Sequence, residues 1–304
     1  MTCPRPSFSV AVDVANPGQF FACCGLLELA HRLWPGAEGW FSRDGSTFFV
    51  ATGDAHGTLA RLVDELSKCK ITGLNQEQRR ERDILEERRR QLKKAGQRLS
   101  RDDEARRNEL GDLARTGPVQ VEAPFGILLD WWQTSEDDQS APKTWAGRQE
   151  IHKIATAAQE ALVDRASSGL FDYACVLRLP HDYRKGRADH KKAVEPFYFD
   201  ARRFAHPLDA GFSLDVQDAE TVAHPAVELL CLIALQRFRP SAVKGQKWLF
   251  EYTMWSGPLP AAVAPAVVCG VVAGDRRYRF PLVFRDDQKR YKAFGLATPI
   301  GGGQ

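Results

Sequence analysis

The sequence predicts an α+β fold: mixed, largely antiparallel sheets with packed helices and an inserted charged helical hairpin. Three observations carry that expectation. An alternating strand leads into a nearly uncharged helix near the N-terminus. A long charged stretch in the middle shows one thin leucine seam. Several strand-like runs follow each other at short spacing in the last third, which implies antiparallel pairing. No internal repeat organises these parts. They divide the chain into an N-terminal α/β part (1–74), the charged hairpin (75–116), and an α+β part with a strand-rich C-terminal third (117–304).

The first strand is read from Phe8, Val10, Val12 and Val14, which alternate with smaller residues in the period-2 pattern of a half-buried strand. Asn16 is placed to cap the next helix, Pro17 suits its first turn, and Pro35 stops it after Trp34. Only Glu28, His31 and Arg32 interrupt its apolar surface, so this helix is expected to be internal. Thr47 to Ala51 reads as a strand. His56 to Lys70 reads as an amphipathic helix with Leu59, Leu62, Val63 and Leu66 on one face.

From Gln76 to Arg115 the chain reads as a helical hairpin. Leu85, Leu92 and Leu99 mark its seam, Gly96 permits the turn, and Ser100 followed by Asp103 is a helix start. So narrow a seam buries little. The arm is a nucleic-acid arm, an intersubunit strut or a solvated insertion.

Beyond it, Val119 to Val121 and Ile127 to Trp132 read as strands, and Ser135 to Ser140 as an acidic loop. Trp145 to about Arg165 reads as a helix, Phe171 to Leu179 as a strand stopped by Pro180, His181 to Lys192 as a polar loop, and Phe197 to Phe199 as the start of another strand. Pro225 opens a helix through Phe238 with Val227, Leu230, Cys231, Ala234 and Leu235 in its buried stripe. Trp248 to Trp255, Val267 to Ala273, Tyr278 to Phe284 and Tyr291 to Phe294 are the expected C-terminal strands, ahead of a frayed Gly301 to Gly303 tail.

A hydrophobic content of 43% with 27% charged residues belongs to a globular chain able to bury a full core. The seven cysteines are odd in number and mostly lie in apolar segments, so buried free thiols are expected rather than disulfides. No charged-then-apolar leader opens the sequence, and the longest apolar run, Ala261 to Ala273, is too short to cross a bilayer and is broken by Pro265. The expectation is a cytoplasmic protein with no membrane partner.

A net charge of +3 excludes a nucleic-acid reading from overall charge alone. Its distribution is uneven. Lys68 to Arg115 holds 15 basic and 10 acidic residues, so the rest of the chain sums to a slight negative charge. Smaller basic stretches follow at 184–203, 237–247 and 276–292.

Catalytic signatures are missing. There is no Cys-x-x-Cys, His-Glu-x-x-His, Walker-type loop or Gly-x-Ser-x-Gly elbow, and Cys23 and Cys24 are adjacent on a helix and point to different faces. His181-Asp182 resembles the paired ligands of metal phosphohydrolases, but lacks the further helical His and Asp ligands. Asp200 beside Arg202 and Arg203 is a single carboxylate, which cannot hold two metals and reads as a salt-bridged strand end. No catalytic residue, metal or cofactor is expected.

Four segments carry a family resemblance. They are DVANPGQFFACCGLLELAHRLWPGAEGWF near the N-terminus, LLDWW with KTWAGRQ (128–132 and 143–149), FYFDARR (197–203) and HPAVELLCLIALQRFRP (224–240). Together they resemble a CRISPR-associated family of type I, subtype U (also called G), whose members are treated as large-subunit-like proteins of the RNA-guided surveillance complex, Cascade. The 75–116 hairpin takes no part in the resemblance.

The resemblance implies a non-catalytic subunit near the 5′ handle of the guide RNA. Such a subunit inspects the short motif flanking the target double-stranded DNA, helps to open the duplex, and offers a docking surface to a separate helicase-nuclease. Its partners would be the other Cascade protein subunits, guide RNA, target DNA and that nuclease. Large subunits commonly run longer and end in a helical bundle; here the last third reads as strands, so a partial role is implied.

That role needs phosphate donors, amides that reach base edges, and aromatic wedges. Four groups match in residue type: Lys143, Trp145, Arg148 and Gln149 near an expected helix start; Lys244, Gln246 and Lys247 around Gly245; Arg184, Lys185 and Arg187; and Asn16 and Gln19 around Gly18, which also read as a plain cap. Two other functions remain open. One is a purely structural assembly subunit. The other is a metal-independent guide-RNA processing endoribonuclease using His181 or His190 near Lys191 and Tyr198.

Overall fold

The computed structural model describes residues 3–133, 141–145, 149–162, 169–179, 193–203, 220–285 and 291–301. Every paired strand among them is antiparallel, and seven α-helices pack with four sheets. The α+β class is as the sequence predicts.

Strand β1 (Phe8–Ala11) leads through buried Val12 and Val14 into α1 (Pro17–Leu33), whose cap Asn16 accepts a hydrogen bond from Gly18 N at 3.1 Å. Every α1 residue from Pro17 to Ala30 is buried, so the helix is internal as its composition required. β2 (Glu38–Phe41) and β3 (Thr47–Ala51) form a hairpin beside β1, and β11 (Leu259–Pro260) closes that sheet in the order β1-β3-β2-β11. A C-terminal segment therefore completes the N-terminal sheet.

α2 (Leu59–Lys68), capped by Thr58, buries Leu62, Val63 and Leu66. β4 (Ile71–Thr72) precedes the hairpin of α3 (Gln76–Lys94) and α4 (Arg101–Thr116). Asn75 and Gln78 make a full capping box on α3, Ser100 caps α4, and Gly96 turns at φ +68°. Leu85 is buried and Leu92 and Leu99 are half-buried, the thin seam the sequence showed. Interhelical pairs Arg106–Glu81 and Arg107–Glu86 add to it. β5 (Val119–Val121) and β6 (Ile127–Leu129) join β4 in a three-stranded sheet.

Four expected elements differ. The helix expected from Trp145 is α5 (Ile151–Glu160); Trp145 lies ahead of it because its ring is drawn into an aromatic cluster with Trp131, Trp132 and Phe197. The strand expected over 171–179 is reduced to β7 (Cys175–Val176), which pairs with β8 (Val222–Ala223), and an isolated antiparallel bridge from Arg178 to Ala193, after a turn in which Asp172 N donates to Gly169 O. Phe197 to Phe199 joins no ladder, since Tyr198 sits at φ +62°, and the chain turns into a single 3-10 turn at Ala201–Arg203. The apolar run after Val267 is not a strand. Pro265 in the first turn and Gly270 at φ +77° bound a short helix, α7 (Ala264–Val268), and leave Val271 exposed.

The helix at Pro225, α6 (Pro225–Ala234), is buried on all sides. It lies against α1, where a Cβ on Gly25 would stand 2.2 Å from the Leu230 carbonyl oxygen, so only glycine lets the two backbones approach this closely. β9 (Ser241–Ala242), β10 (Leu249–Met254), β12 (Arg276–Phe284), β13 (Lys292–Phe294) and β14 (Thr298–Ile300) form the C-terminal sheet around β12. Phe20 of α1 stacks on Tyr252 of β10 at 4.3 Å and on Phe41 of β2 at 5.1 Å, so one core joins the two large sheets.

Candidate nucleic-acid interface

The segments that suggested a function converge on one buried polar node. Asp200, fully buried, takes Asn16 Nδ2 on Oδ1 at 2.7 Å and a fork from Arg202, whose Nη2 reaches Oδ2 at 2.7 Å and whose Nε reaches both oxygens. Arg202 also donates to the Phe171 carbonyl at 2.6 Å and pairs with Asp172. His224 Nε2 stands 3.8 Å from Asp200 Oδ2, and its Nδ1 is 3.1 Å from the Tyr173 carbonyl. Glu228 of α6 accepts from Phe199 N and Asp200 N.

Two neighbouring carboxyls are thereby driven apart. Burial pushes Asp200 up, but the hydrogen bonds and charge of Arg202, the Asn16 amide and His224 outweigh it and hold the group below its ordinary value. Burial raises Glu228 to about 8, reinforced by the Asp200 charge, so Glu228 carries its proton at neutral pH. The node is a structural junction. A carboxylate and a cation each satisfied by protein groups leave no open position for a reacting atom.

Asn16 belongs to this junction and Gln19 to the adjoining turn, and both are buried. Asn16 is fully buried and also accepts from Ala201 N, while Gln19, 4% exposed, accepts from Asp13 N at 2.8 Å. Gly18 between them faces the Phe199 carbonyl, 2.3 Å from where a Cβ would lie. Their expected contact with nucleic acid is corrected to capping and packing, because neither side chain reaches solvent.

Trp145 is corrected in the same way. It is 6% exposed and packed among Trp131, Trp132, Phe197 and Phe199, which makes it core rather than wedge. Gln149 is half-buried just before α5. That helix begins at Glu150, which pairs with Arg82 and Lys153, so its N-terminus carries a carboxylate where an anion site was expected. Lys143 remains half-exposed, with Nζ 5.9 Å from the Trp145 ring. Arg148, Arg184, Lys185 and Arg187 lie outside the described residues, as do His181, Asp182, His190 and Lys191.

Among the described residues the Lys244–Lys247 group forms a surface. Lys244, Gly245, Gln246 and Lys247 form the exposed turn of the β-hairpin between β9 and β10. Gly245 sits at φ +75°, and the turn closes through Gln246 N to Val243 O and Val243 N to Leu249 O. Trp248 follows, and Lys292 of β13 lays its ammonium 3.8 Å over the Trp248 ring. The Lys292 backbone N in turn donates to the Thr144 carbonyl at 3.0 Å, beside Lys143. The fold thus joins the 143–145 and 244–248 segments through Lys292. Lys292 is buried like the rest of β13, and its position over Trp248 has no signal in sequence.

Tyr198, named beside the candidate bases His181 and His190, is held inside the protein. It is 5% exposed, its hydroxyl is engaged by Glu195 and Thr221, and burial raises it well above its ordinary value. Burial likewise pushes the thiols of Cys23, Cys24 and Cys231 up, so they are unreactive, and the cysteines are free. Among the described residues no cluster of His, Cys, Asp and Glu is arranged to hold a metal ion, and no helix is long and apolar enough to cross a membrane.

No family model matches the chain, and neither the curated proteins nor the solved structures compared with it yield a match.

Proposed function

We propose that this chain is a non-catalytic subunit of an RNA-guided CRISPR type I effector complex of subtype U (G). In that role it would contribute to recognition of the motif flanking target DNA, to duplex opening and to docking of the helicase-nuclease.

One observation supports the reading most. The four sequence blocks that resemble the large-subunit-like family, scattered over most of the chain, interlock in the fold. Asn16 of the first block binds Asp200 of FYFDARR, and Glu228 of HPAVELL caps the same segment. Arg237 of that last block holds Glu28 of the first at 2.7 Å. Gln236 clasps Asp130 and Trp131 of LLDWW. These contacts join the blocks into one scaffold.

Duplex contact would then fall to the exposed Lys244–Lys247 hairpin and to Lys143, donors suited to phosphate, with Gln246 able to reach a base edge. A second reading, a purely structural assembly subunit, is favoured by the burial of Asn16, Gln19 and Trp145. Measuring target-duplex affinity of a guide-loaded partner complex with and without this chain, on intact and scrambled flanking motifs, separates the two.

A further inference from the structure

The α3–α4 hairpin has a feature that its stability does not call for. From Arg88 to Arg101 there are seven basic residues (Arg88, Arg89, Arg90, Lys93, Lys94, Arg98 and Arg101) and no acidic one. All seven are exposed. The acidic residues of the arm flank this run: Glu81 and Glu86 pair across the helices with Arg106 and Arg107, and Asp102, Asp103 and Glu104 begin α4 directly after Arg101. The run itself carries one sign over fourteen residues, whereas a merely solvated arm needs only interspersed signs.

The turn also stands away from the body. Leu85 is the last buried residue of α3, and nothing between Glu86 and Arg101 is buried. Nine residues of helix separate Leu85 from Lys94, a rise of about 14 Å. Lys93 and Lys94 in the last turn of α3 gain from the helix dipole, but Arg101 in the first turn of α4 opposes it. Of the three acids that begin α4, Asp103 is bound to Arg88 and Glu104 to Arg107, which leaves Asp102. Among the described residues Lys93, Lys94, Arg98 and Arg101 have no carboxylate partner. Arg98 and Arg101 line, with Arg89 and Lys93, an open cleft of about 870 Å³ at the turn.

We propose that this hairpin turn is a phosphate-backbone site for double-stranded nucleic acid. Four uncompensated cations on a narrow projection fit the paired phosphate rows of a duplex. The arm from residue 75 to 116 holds no aromatic residue, so it has no platform on which to stack unpaired bases, and a single strand is disfavoured. Binding at the turn is independent of sequence, because Lys and Arg held to phosphates carry no base information. This site is separate from the Lys244–Lys247 hairpin and requires neither guide RNA nor a flanking motif.

The test uses the full chain alone with a random-sequence duplex, followed by fluorescence anisotropy through a salt titration. Four phosphate contacts contribute about −3.6 to the log–log salt slope, at ~0.9 each. The variant Lys93→Ala/Lys94→Ala/Arg98→Ala/Arg101→Ala is expected to lose that contribution and to bind at least about 100-fold more weakly near ~0.1 M salt. Lys93→Arg/Lys94→Arg keeps the charge and is expected to keep both slope and affinity, as is Arg79→Ala/Arg80→Ala on the stem. A quadruple variant that is folded by circular dichroism and binds the duplex unchanged overturns the site. Displacement of the duplex by poly-glutamate at equal charge would overturn the nucleic-acid assignment in favour of an acidic protein partner. Tighter binding of the single strand than of the duplex would also refute it. Because no guide or flanking motif is present, failure here leaves the recognition reading standing, and the converse holds.

Discussion

Replacing Arg202 with alanine removes the main partner of a fully buried carboxylate. Asp200 is 0% exposed, whereas the Arg202 side chain keeps 32% of its surface in water. Breaking a buried pair by deleting one partner costs about 3–5 kcal/mol. With one member partly solvated, the lower end, about 3 kcal/mol at neutral pH, is the expected loss.

The pH dependence identifies the cause. In the native protein Asp200 is held below its ordinary value of 3.8, so its contribution is present above that pH and is lost as pH falls through the folded value. Without Arg202 the remaining large influence is burial, which raises the folded value above the unfolded one. The variant then loses stability as pH rises from about 4, where the unfolded chain ionises and the folded one resists. The gap between the two proteins therefore widens from pH 4.5 to pH 7.5. Urea denaturation at both pH values measures it. A gap below about 1 kcal/mol, or one equal at the two pH values, would refute the assignment of Arg202 as the charge partner that the junction depends on.

Two further outcomes follow from the same geometry. Gly25→Ala gains about 1 kcal/mol in helix propensity, but places a methyl 2.2 Å from the Leu230 carbonyl oxygen, an overpacking that costs about 1–3 kcal/mol or more. A lower thermal midpoint is expected, and an equal or higher one would show that α1 and α6 are not in this contact. Lys244→Ala/Lys247→Ala removes two exposed cations from the β9–β10 turn; target-duplex affinity is expected to fall and the log–log salt slope to lose about 1.8, whereas unchanged affinity at low salt removes that turn from the interface.

Local signals were legible where local physics decides. The Asn16 cap, the Pro17 start and the apolar surface of α1, the Ser100 cap and the Gly96 turn of the arm, and the strand at Thr47–Ala51 each rest on a few neighbouring residues, and the structure has them as the sequence shows. The strands β4, β8, β9 and β11 are two residues long and owe their existence to partners distant in sequence, so no periodicity could announce them. The run after Val267 has strand composition, yet Pro265 and Gly270 fix a helix and a turn.

The site was less legible than the fold. Asn16 and Asp200 are 184 residues apart, and burial alone turns a plausible contact group into a junction. Trp145 and Lys143 are close in sequence and have opposite fates, because the indole is claimed by four aromatic neighbours and the ammonium is not. What composition did show, and the structure sharpens, is that positive charge is concentrated locally on a chain whose total is only +3.

The proposal that this chain recognises target DNA within a guide-loaded complex is tested most directly by duplex affinity of the partner complex, with and without the chain, on intact and scrambled flanking motifs. The predicted result is tight binding only when the chain is present and the motif intact. Equal affinity in all four combinations would contradict it and leave assembly as the function of the scaffold.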